Sequence, residues 1–341
     1  MSPAPEKIVH SSTSNSNNSG WGKSWLLGLL IALFLLGGLE FAWRINGHQP
    51  DIVDDQRLWA MERSKAGTSP KEIVLLGSSR IQTDISMATL RRFIPDYNII
   101  NLPIDGTCAN ATLHDLAEDD KFSGTVIMET TSECLMFGYD QKISQQSYVD
   151  YYHRVYNLNV EANRLIATFL QKNLTIINPY LNLIKVTGDI IRKNKWREPN
   201  YVTTYEDRSR LADYTKLDIT ENKAMRLIKT EGHYRKLLPR ISTQLLQDQL
   251  ASINTDVEKI INRDGKVIFV RFPASDEHWD MDERYFPRDK YWDTIAPLTK
   301  ARILHFKDID IINSLRCPDT SHLDVRDTVT FTSKLFNEIS K

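Results

Sequence analysis

The sequence predicts an α/β fold: a three-layer, flavodoxin-like parallel sheet of about five strands, with a helical insertion and one N-terminal transmembrane helix. Short apolar runs recur along the chain, and the segments between them have helical spacing. Short buried strands that alternate with helices are typical of a parallel sheet covered on both faces. The third and fourth runs are separated by residues 131–265, although a crossover needs only about a dozen residues, which predicts the insertion.

Five apolar runs are predicted as the strands of this sheet. They are EIVLLG (72–77), YNIINL (97–102), TVIMET (125–130), KVIFVRFP (266–273) and ARILHF (301–306). Amphipathic spacing predicts helices over Ile85 to Phe93, Ala109 to Leu116 and Val325 to Ile339. The insertion, about residues 135–262, is mostly helical by pattern and is interpreted as a lid or docking lobe. The predicted domain covers residues 71–341, and residues 45–70 are predicted to be a polar connector with a short helix.

The N-terminal part of the chain differs from the rest. Residues 1–23 include a Ser/Asn-rich stretch without apolar residues and are predicted to be a disordered tail. Residues 24–44 are predicted to be a transmembrane anchor, because the apolar run from Trp25 to Trp43 is about 28 Å long as a helix. The two tryptophans stand at interfacial positions, and Glu40 is close enough to the end to reach the head groups. A cleaved signal peptide or a buried core helix is the alternative, but no A-x-A-like cleavage site follows.

Composition excludes several function classes. The chain has 341 residues and a formal net charge of -1, without a long basic run, so we do not expect it to bind nucleic acid. Its three cysteines form no C-x-x-C pair, and the acidic residues Asp280, Asp282 and Glu283 lack a recognisable ligand loop. We therefore predict neither a metal nor another cofactor.

Polar residues follow the predicted strands and a fourth polar block precedes the last helix. These blocks are GSSR (77–80), NLPIDGT (101–107), TTSE (130–133) and DTSH (319–322). In an open parallel sheet, ligands bind beyond the carboxyl ends of the strands, where these blocks should converge. A serine at a strand-to-helix turn, with an aspartate and a histidine, can form a nucleophile, an orienting group and a base. A G-S-S turn or a D-x-x-H motif alone is usually structural, so the interpretation depends on the order of all four blocks.

The four blocks resemble those of the SGNH (GDSL-like) hydrolase superfamily over roughly residues 71–130 and 265–341. The resemblance implies that Ser79 is the nucleophile, with Ser78 in place of the family's aspartate, and that Asp319 and His322 complete a catalytic triad. Ser79, the third residue of its motif, is predicted to cap the following helix. Gly106 and the Ser79 amide would bind the oxyanion.

The third block departs from the family pattern, because it lacks the asparagine that normally contributes to the oxyanion hole. Thr131 or Ser132 could replace it, or the hole could use backbone amides alone. Loss of one such donor can cost about two to three orders of magnitude in rate, which favours a transferase or a slow esterase.

The resemblance also implies a function and a location. Acyl transfer through an acyl-serine would make the chain an esterase with water as acceptor, or an O-acyltransferase with a sugar hydroxyl. Membrane-tethered relatives act on exported polysaccharides or cell-wall polymers, so the expected partners are the membrane, a carbohydrate polymer and a membrane acyltransferase or export protein. The alternative is a catalytically weak or inactive assembly subunit of such a complex.

The predicted location is the inner (plasma) membrane, with the domain on the periplasmic side. The basic residues around the span do not support this orientation, because two precede it and four follow it. They are Lys7 and Lys23, then Arg44, Arg57, Arg63 and Lys65. The family resemblance alone favours the periplasmic side.

A segment dense in aromatic and charged residues, 273–292, is the candidate substrate site. Aromatic faces beside acids and arginines suit carbohydrate stacking and hydroxyl binding, but an ordered loop packed on the insertion would have the same composition. The candidate residues are Arg80, Trp279, Arg284, Tyr285 and Trp292. His278 could face the site or be structural.

All three cysteines fall in loops that this fold would gather at the site. A disulfide could join Cys134 to Cys317 or Cys108 to Cys317, or all three could be small buried hydrophobic residues. The odd number of cysteines favours three free, buried cysteines.

Overall fold

The computed structural model describes residues 19–193 and 196–341, which include a parallel sheet of five strands and a separate hairpin. The strands are β1 Glu72–Leu76, β2 Asn98–Asn101, β3 Thr125–Glu129, β4 Val202–Thr204, β5 Arg210–Ala212, β6 Lys266–Arg271 and β7 Arg302–His305. The sheet order is β2-β1-β3-β6-β7, all parallel, and β4 pairs antiparallel with β5. Counted along the chain, this is the 2-1-3-4-5 order of flavodoxin-like folds. The predicted fold class is confirmed.

Helices precede, connect and follow the strands of this sheet, and the first helix begins the described part of the chain. They are α1 Ser19–Ile45, α2 Gln56–Arg63, α3 Ser79–Asp84, α4 Met87–Phe93, α5 Asn110–Glu118, α6 Ser132–Phe137, α7 Gln146–Arg154, α8 Leu158–Asn173, α9 Leu183–Lys193, α10 Ile219–Leu237, α11 Thr243–Ile261, α12 Asp276–Tyr285, α13 Asp310–Ser314 and α14 Thr328–Ile339. Where one helix was predicted over Ile85 to Phe93, α4 begins only at Met87, because the Ser86 side chain accepts a hydrogen bond from the Thr89 amide and caps the helix.

Successive residues of each strand enter two different apolar clusters, one on each face of the sheet. In β1, Val74 and Leu76 belong to a cluster that includes residues of α2, α5 and α11. Ile73 and Leu75 belong to the other cluster, which includes residues of α3, α4 and α14. Burial of each such side chain contributes about 1.5–3 kcal/mol, which accounts for the uninterrupted apolar sequence of the strands.

The long segment between β3 and β6 is not helical insertion throughout. α11 packs against the sheet through Leu250, Ile253 and Val257, all fully buried in the first cluster, and is therefore the crossover helix that leads into β6. The β4–β5 hairpin lies in the polar stretch for which no strand was predicted, because strands of three residues have too short a pattern to recognise.

The predicted connector contains a core helix. Trp59 in α2 is fully buried and its Nε1 donates to the Leu102 carbonyl oxygen at 2.8 Å. Arg63 at the end of α2 is also buried, and its Nε donates to the Asp115 carboxylate at 2.6 Å. A charged residue in a sequence suggests an exposed segment, but the ion pair between Arg63 and Asp115 is buried in the interior.

The N-terminal helix α1 is long and apolar enough to cross a membrane over Trp21–Ile45, and its most apolar stretch makes no buried contact. A signal sequence would pass the same test. Residues 1–18 of the predicted disordered tail lie outside the described residues, whereas the described part of that tail, from Ser19, already belongs to α1.

Candidate active site

The turn between β1 and α3 presents Ser79 at the carboxyl end of the sheet. Gly77 has φ +144, and a Cβ there would lie 2.7 Å from Oε2 of Glu129, so only glycine fits. Ser78 is the N-cap of α3, and its amide and hydroxyl both donate to Glu129 Oε2 at 2.8 Å. Ser79 is therefore the first residue of α3, not its cap as predicted, and it stays partly exposed.

Ser79, His322 and Asp319 form one chain of hydrogen bonds. Ser79 Oγ lies 2.8 Å from His322 Nε2, and His322 Nδ1 lies 2.9 Å from Asp319 Oδ2. The other carboxylate oxygen of Asp319 accepts from the Ser321 and His322 amides at 2.9 and 2.8 Å. With Nδ1 protonated toward Asp319, Nε2 can accept the serine proton, which is the arrangement of a nucleophile with its base.

Asp319 also receives two groups from the insertion. Arg226 Nη2 in α10 lies 2.9 Å from Asp319 Oδ2, the oxygen that bonds His322. Burial would raise the pKa of Asp319, but the hydrogen bond from His322 and the charge of Arg226 outweigh it and hold the pKa well below its usual range. Burial and the charge of Asp319 raise the pKa of Tyr214, so the phenol that faces the carboxylate remains protonated. Asp319 is therefore ionised throughout the physiological pH range.

The loop that carries His322 is held from both sides. The Leu323 amide donates to Oδ1 of Asp84, the last residue of α3, at 2.9 Å. On the β6 side, Ser275 Oγ accepts from the Cys317 amide at 2.9 Å, and the Ser275 amide donates to the Thr320 carbonyl oxygen at 3.0 Å. One short helix thus positions the serine at its N-terminus and the histidine loop at its C-terminus.

Arg80, predicted to bind substrate, lies in a buried network behind the nucleophile. Its Nη1 is 3.6 Å from Glu129 Oε1, and its Nη2 donates to His278 Nε2 at 3.2 Å. Burial lowers the pKa of His278 to about 4, so the ring is neutral and can accept this bond. His278 in turn lies 3.7 Å from Asp282, which pairs with Arg271 and accepts from the Tyr234 hydroxyl at 2.7 Å. The network fixes the position of Arg80 beside the Ser78–Ser79 turn.

Apart from the Ser79 amide, the predicted oxyanion groups lie after β2 and β3. Gly106 is exposed and has φ +68, a conformation that favours glycine. Thr131 Oγ1 accepts from the Cys134 amide and caps α6, whereas Ser132 is buried. A buried side chain from the insertion, Gln145, donates through Nε2 to the Gly77 carbonyl oxygen at 2.9 Å and to Thr107 Oγ1 at 3.0 Å. Gln145 therefore joins the turn of the nucleophile to the turn of Gly106.

A pocket at the carboxyl ends of β3, β6 and β7 separates the other substrate-binding candidates into two pairs. Trp279 and Trp292 line it, with Arg288 and Glu283 beside them. Arg284 and Tyr285 do not line it; they face α10, where the Tyr285 hydroxyl donates to Glu231 at 2.9 Å and Arg284 lies 4.0 Å from the same carboxylate. They follow Trp279 by five and six residues in α12, which directs them to another side of the helix.

The cysteines pair differently from either predicted disulfide. Cys108 and Cys134 are bonded, with their Cα atoms 5.3 Å apart, and Cys317 is free and buried. Beside the bond, Asn110 Nδ2 at the start of α5 donates to the Cys134 carbonyl oxygen at 3.1 Å. Cys317 belongs to the apolar cluster on the opposite face of the sheet. The disulfide therefore pins the start of α6 to the loop after Gly106.

One group of possible metal ligands occurs in the described part of the chain. His114, Glu118 and Asp256 have ligand atoms within 4.8 Å of one another, but His114 and Glu118 are exposed. They lie on α5 and α11, away from the carboxyl ends of the strands, and contribute nothing to the serine site.

Several contacts of the site were not predicted from the sequence. Arg226, Tyr214 and Gln145 come from the insertion, and no short motif marks them. Glu129 could have been found from the sequence, because it is the charged last residue of an apolar strand. The candidate blocks were selected as polar residues at the carboxyl ends of strands, and Glu129 meets that criterion.

Comparisons with known proteins find similarity in structure only. No protein-family model and no curated protein matches the sequence. The crystal structure of TesA is 12% identical with a TM-score of 0.35, and the similarity covers 79% of this chain and 98% of that chain. The psychrotrophic esterase EstA from Pseudoalteromonas sp., inhibited by monoethylphosphonate, is 10% identical with a TM-score of 0.35, over 79% of this chain and 97% of that chain.

Proposed function

We propose that this chain is a serine-dependent acyl-transfer enzyme of the SGNH type, an esterase or O-acyltransferase that forms an acyl-Ser79 intermediate. The observation that carries the proposal is the continuous hydrogen-bond chain Ser79–His322–Asp319. Its three members come from two sequence blocks that are far apart in the chain and that resemble the blocks of the SGNH superfamily.

In the proposed mechanism, His322 Nε2 takes the proton from Ser79 Oγ as the oxygen attacks the carbonyl carbon of an ester. Collapse of the tetrahedral intermediate breaks the bond to the leaving oxygen, which takes the proton from His322. A second hydroxyl, from water or a sugar, then attacks the acyl-serine and gives its proton to His322. The bond from the acyl carbon to Ser79 Oγ breaks, and His322 returns the proton to this oxygen. Asp319 stays ionised and holds the imidazolium.

The oxyanion is proposed to bind the Ser79 and Gly106 amides. Both amides donate to no acceptor within residues 19–193 and 196–341, which is consistent with this role. Thr131 and Ser132, the two proposed replacements for the missing asparagine, both line the pocket at the carboxyl ends of β3, β6 and β7. The Thr131 oxygen caps α6 as an acceptor, so the hydroxyl of either residue can still donate to an oxyanion. Backbone donors alone would make the reaction slow.

We further propose a carbohydrate substrate and an extracytoplasmic site. The aromatic and charged composition of residues 273–292 supports the carbohydrate. Trp279, Arg288 and Glu283 line a small pocket whose charged groups could bind hydroxyls, whereas Trp292 in its wall is buried. The Cys108–Cys134 disulfide supports an oxidising compartment, and α1 supports a membrane anchor.

The decisive experiment is labelling of the full chain in detergent with a fluorophosphonate probe, followed by peptide mapping. We expect one label, on Ser79, and none in Ser79→Ala. Ser78→Ala is the matched control, because it removes a neighbouring hydroxyl that bonds Glu129 and leaves the hydrogen-bond chain intact. Hydrolysis of a small acetyl ester should fall at least about 10³-fold in Ser79→Ala and far less in Ser78→Ala.

A folded wild-type chain that reacts with neither probe nor ester would refute the enzymatic proposal. It would favour the alternative of an assembly subunit that keeps the fold as a binding module. A transferase would be identified by a further result. The probe would label Ser79, and an added sugar polymer would reduce hydrolysis of the ester because the acyl group is transferred to the polymer.

A further inference from the structure

Helix α8 is oriented with its apolar side toward solvent. Its buried residues are Arg164 and Thr168. Leu165, Ile166 and Phe169 are 54%, 62% and 65% exposed. An amphipathic helix on a globular domain normally buries its apolar side, so α8 has the reverse arrangement.

This orientation of α8 is held by polar contacts to the segment before α2. Arg164 Nη2 donates to the Val53 carbonyl oxygen at 2.7 Å, and its Nη1 lies 3.6 Å from Asp55. Gln171, two turns further on, accepts from the Val53 amide at 3.2 Å. Rotation of α8 to bury its apolar side would expel a buried arginine from these partners, so the apolar side is available for something outside the chain.

Helix α9 has a second exposed apolar side. Ile184 and Ile191 are each 82% exposed, and their spacing of seven residues puts them on the same side of the helix. Val186, on another side, is buried with Leu181 against Trp43 of α1. The basic residues Lys185 and Arg192 are exposed next to the two isoleucines.

The segment between α8 and α9 is attached to the C-terminal end of α1. Glu40 accepts hydrogen bonds from the Thr175 and Ile176 amides at 2.9 and 2.7 Å, and Arg44 Nη2 donates to the Asn173 carbonyl oxygen at 2.8 Å. The apolar helix Trp21–Ile45 is about 37 Å long, whereas a hydrocarbon core is about 30 Å thick, so its last turns extend into the head groups. The end of α8 and the start of α9 are then at the depth of the bilayer surface.

We infer that α8 and α9 lie on the bilayer where α1 emerges, with Leu165, Phe169, Ile184 and Ile191 inserted at the boundary of head groups and acyl chains. Apolar residues with basic neighbours are typical of interfacial helices. The partner is thus a lipid surface, and the contact is continuous with the proposed span. The inference rests on that proposed span and is independent of the chemistry of Ser79.

Site-directed spin labelling of the full chain tests the inference. The introduced cysteine is selectively labelled, because Cys108 and Cys134 are bonded and Cys317 is buried. Phe169→Cys and Ile191→Cys report on the two helices. Phe34→Cys, in the middle of α1, is the lipid reference. Val329→Cys, an exposed apolar position of α14 on the opposite face of the sheet, is the water reference. Each variant is placed in vesicles of phosphatidylcholine and phosphatidylglycerol, and collisions with oxygen and with an aqueous nickel complex are compared.

We expect the oxygen-to-nickel ratio at positions 169 and 191 to be several-fold above that at position 329 and below that at position 34. Ratios at 169 and 191 equal to that at 329, with a lipid-like ratio at 34, would overturn the inference, because these helices would then face water. A water-like ratio at 34 would overturn the span and the inference together. Fluorophosphonate labelling of the same samples reads the proposed acyl transfer separately.

Discussion

At the scale of single residues, Asp319 is the point where the insertion meets the proposed catalytic chain. Its Oδ2 is shared by His322 Nδ1 at 2.9 Å and Arg226 Nη2 at 2.9 Å. The positive charge of Arg226 helps to hold the pKa of Asp319 low, so α10 contributes to keeping this carboxylate ionised.

Replacement of Arg226 should therefore change the pH dependence of activity more than its maximum. In Arg226→Met, Asp319 loses a charge that lowers its pKa, so the pKa of Asp319 should rise and activity should be lost from a higher pH as the solution is acidified. Arg235→Met is the control, because Arg235 lies in the same helix and pairs with Glu231 instead. Identical profiles for the wild type and Arg226→Met would show that the ion pair has only a structural role.

A second residue-scale prediction concerns Asp84, which is fully buried beside the His322 loop. Burial raises the pKa of Asp84 well above its usual range, and its Oδ2 has no hydrogen-bond partner within the described residues. Because the folded-state pKa exceeds the unfolded one, the folded chain binds more protons from about pH 4 up to the folded pKa, and its stability falls as pH rises through that window.

Asp84→Asn should remove this dependence, since the amide keeps an acceptor for the Leu323 amide without a titrating group. We expect the variant to melt at a higher temperature than the wild type at pH 8 and at a similar temperature at pH 4. Thermal unfolding followed by circular dichroism measures both. A lower melting temperature for the variant at pH 8 would mean that Asp84 is ionised and stabilising.

The residues that could be predicted from the sequence are those in short blocks after the strands or before the last helix. Ser79 and the Asp319–His322 pair are local patterns, and the topology of a parallel sheet then brings them to one edge. Arg226 and Asp84 could not be predicted, because an arginine in a polar helix and an aspartate at the end of a short helix have no pattern that distinguishes them from surface residues. Their roles depend on contacts across the whole domain.

At the scale of elements, the positions of α5 and α6 depend on the Cys108–Cys134 disulfide. The bond closes a loop of sequence separation 26 and joins the turn of Gly106 to the first turn of α6. Constraint of the unfolded chain by a loop of that size contributes roughly 3–4 kcal/mol in the chain-entropy treatment.

Removal of both cysteines should therefore lower the midpoint of guanidinium unfolding. We expect the free energy of unfolding of Cys108→Ser/Cys134→Ser to be roughly 3 kcal/mol lower than that of the wild type, and a reducing agent to lower it by a similar amount in the wild type. The same reducing agent should leave the double variant unchanged, which separates the bond from any effect on Cys317. A wild-type midpoint that is insensitive to reduction would contradict the pairing.

The elements themselves show where sequence patterns are sufficient. All five strands of the main sheet begin and end within two residues of their predicted bounds, because each is a contiguous apolar run. The central strands β1, β3 and β6 are buried on both faces, whereas the edge strand β7 is only partly buried. The β4–β5 hairpin was not predicted, and the short helix predicted in the connector was not recognised as the core helix α2. Both are held by long-range contacts, such as the buried Arg63–Asp115 pair, that outweigh a weak local pattern.

At the scale of the whole molecule, the anchor and the domain share an interface. Trp43 is buried with Leu181 and Val186, although it was predicted to be an interfacial residue of the span alone. Glu40 bonds the two amides that follow α8. The proposed membrane helix is thus a structural part of the insertion, and its removal should have a local consequence in the domain.

A chain that begins at Asp51 keeps the whole sheet and both main apolar clusters, so we expect it to fold and to react with a fluorophosphonate probe at Ser79. It lacks Trp43 and Glu40, so residues 174–193 should lose their packing and become accessible to a protease.

In the full chain, Trp43→Ala should expose the same segment, because loss of a buried tryptophan side chain costs about 3–5 kcal/mol. Trp25→Ala, in the exposed part of α1, is the matched control and should leave the segment protected. Mass spectrometry of the cleavage products locates the cuts. Equal protection of residues 174–193 in the full and the shortened chain would show that the domain holds α9 without help from the anchor.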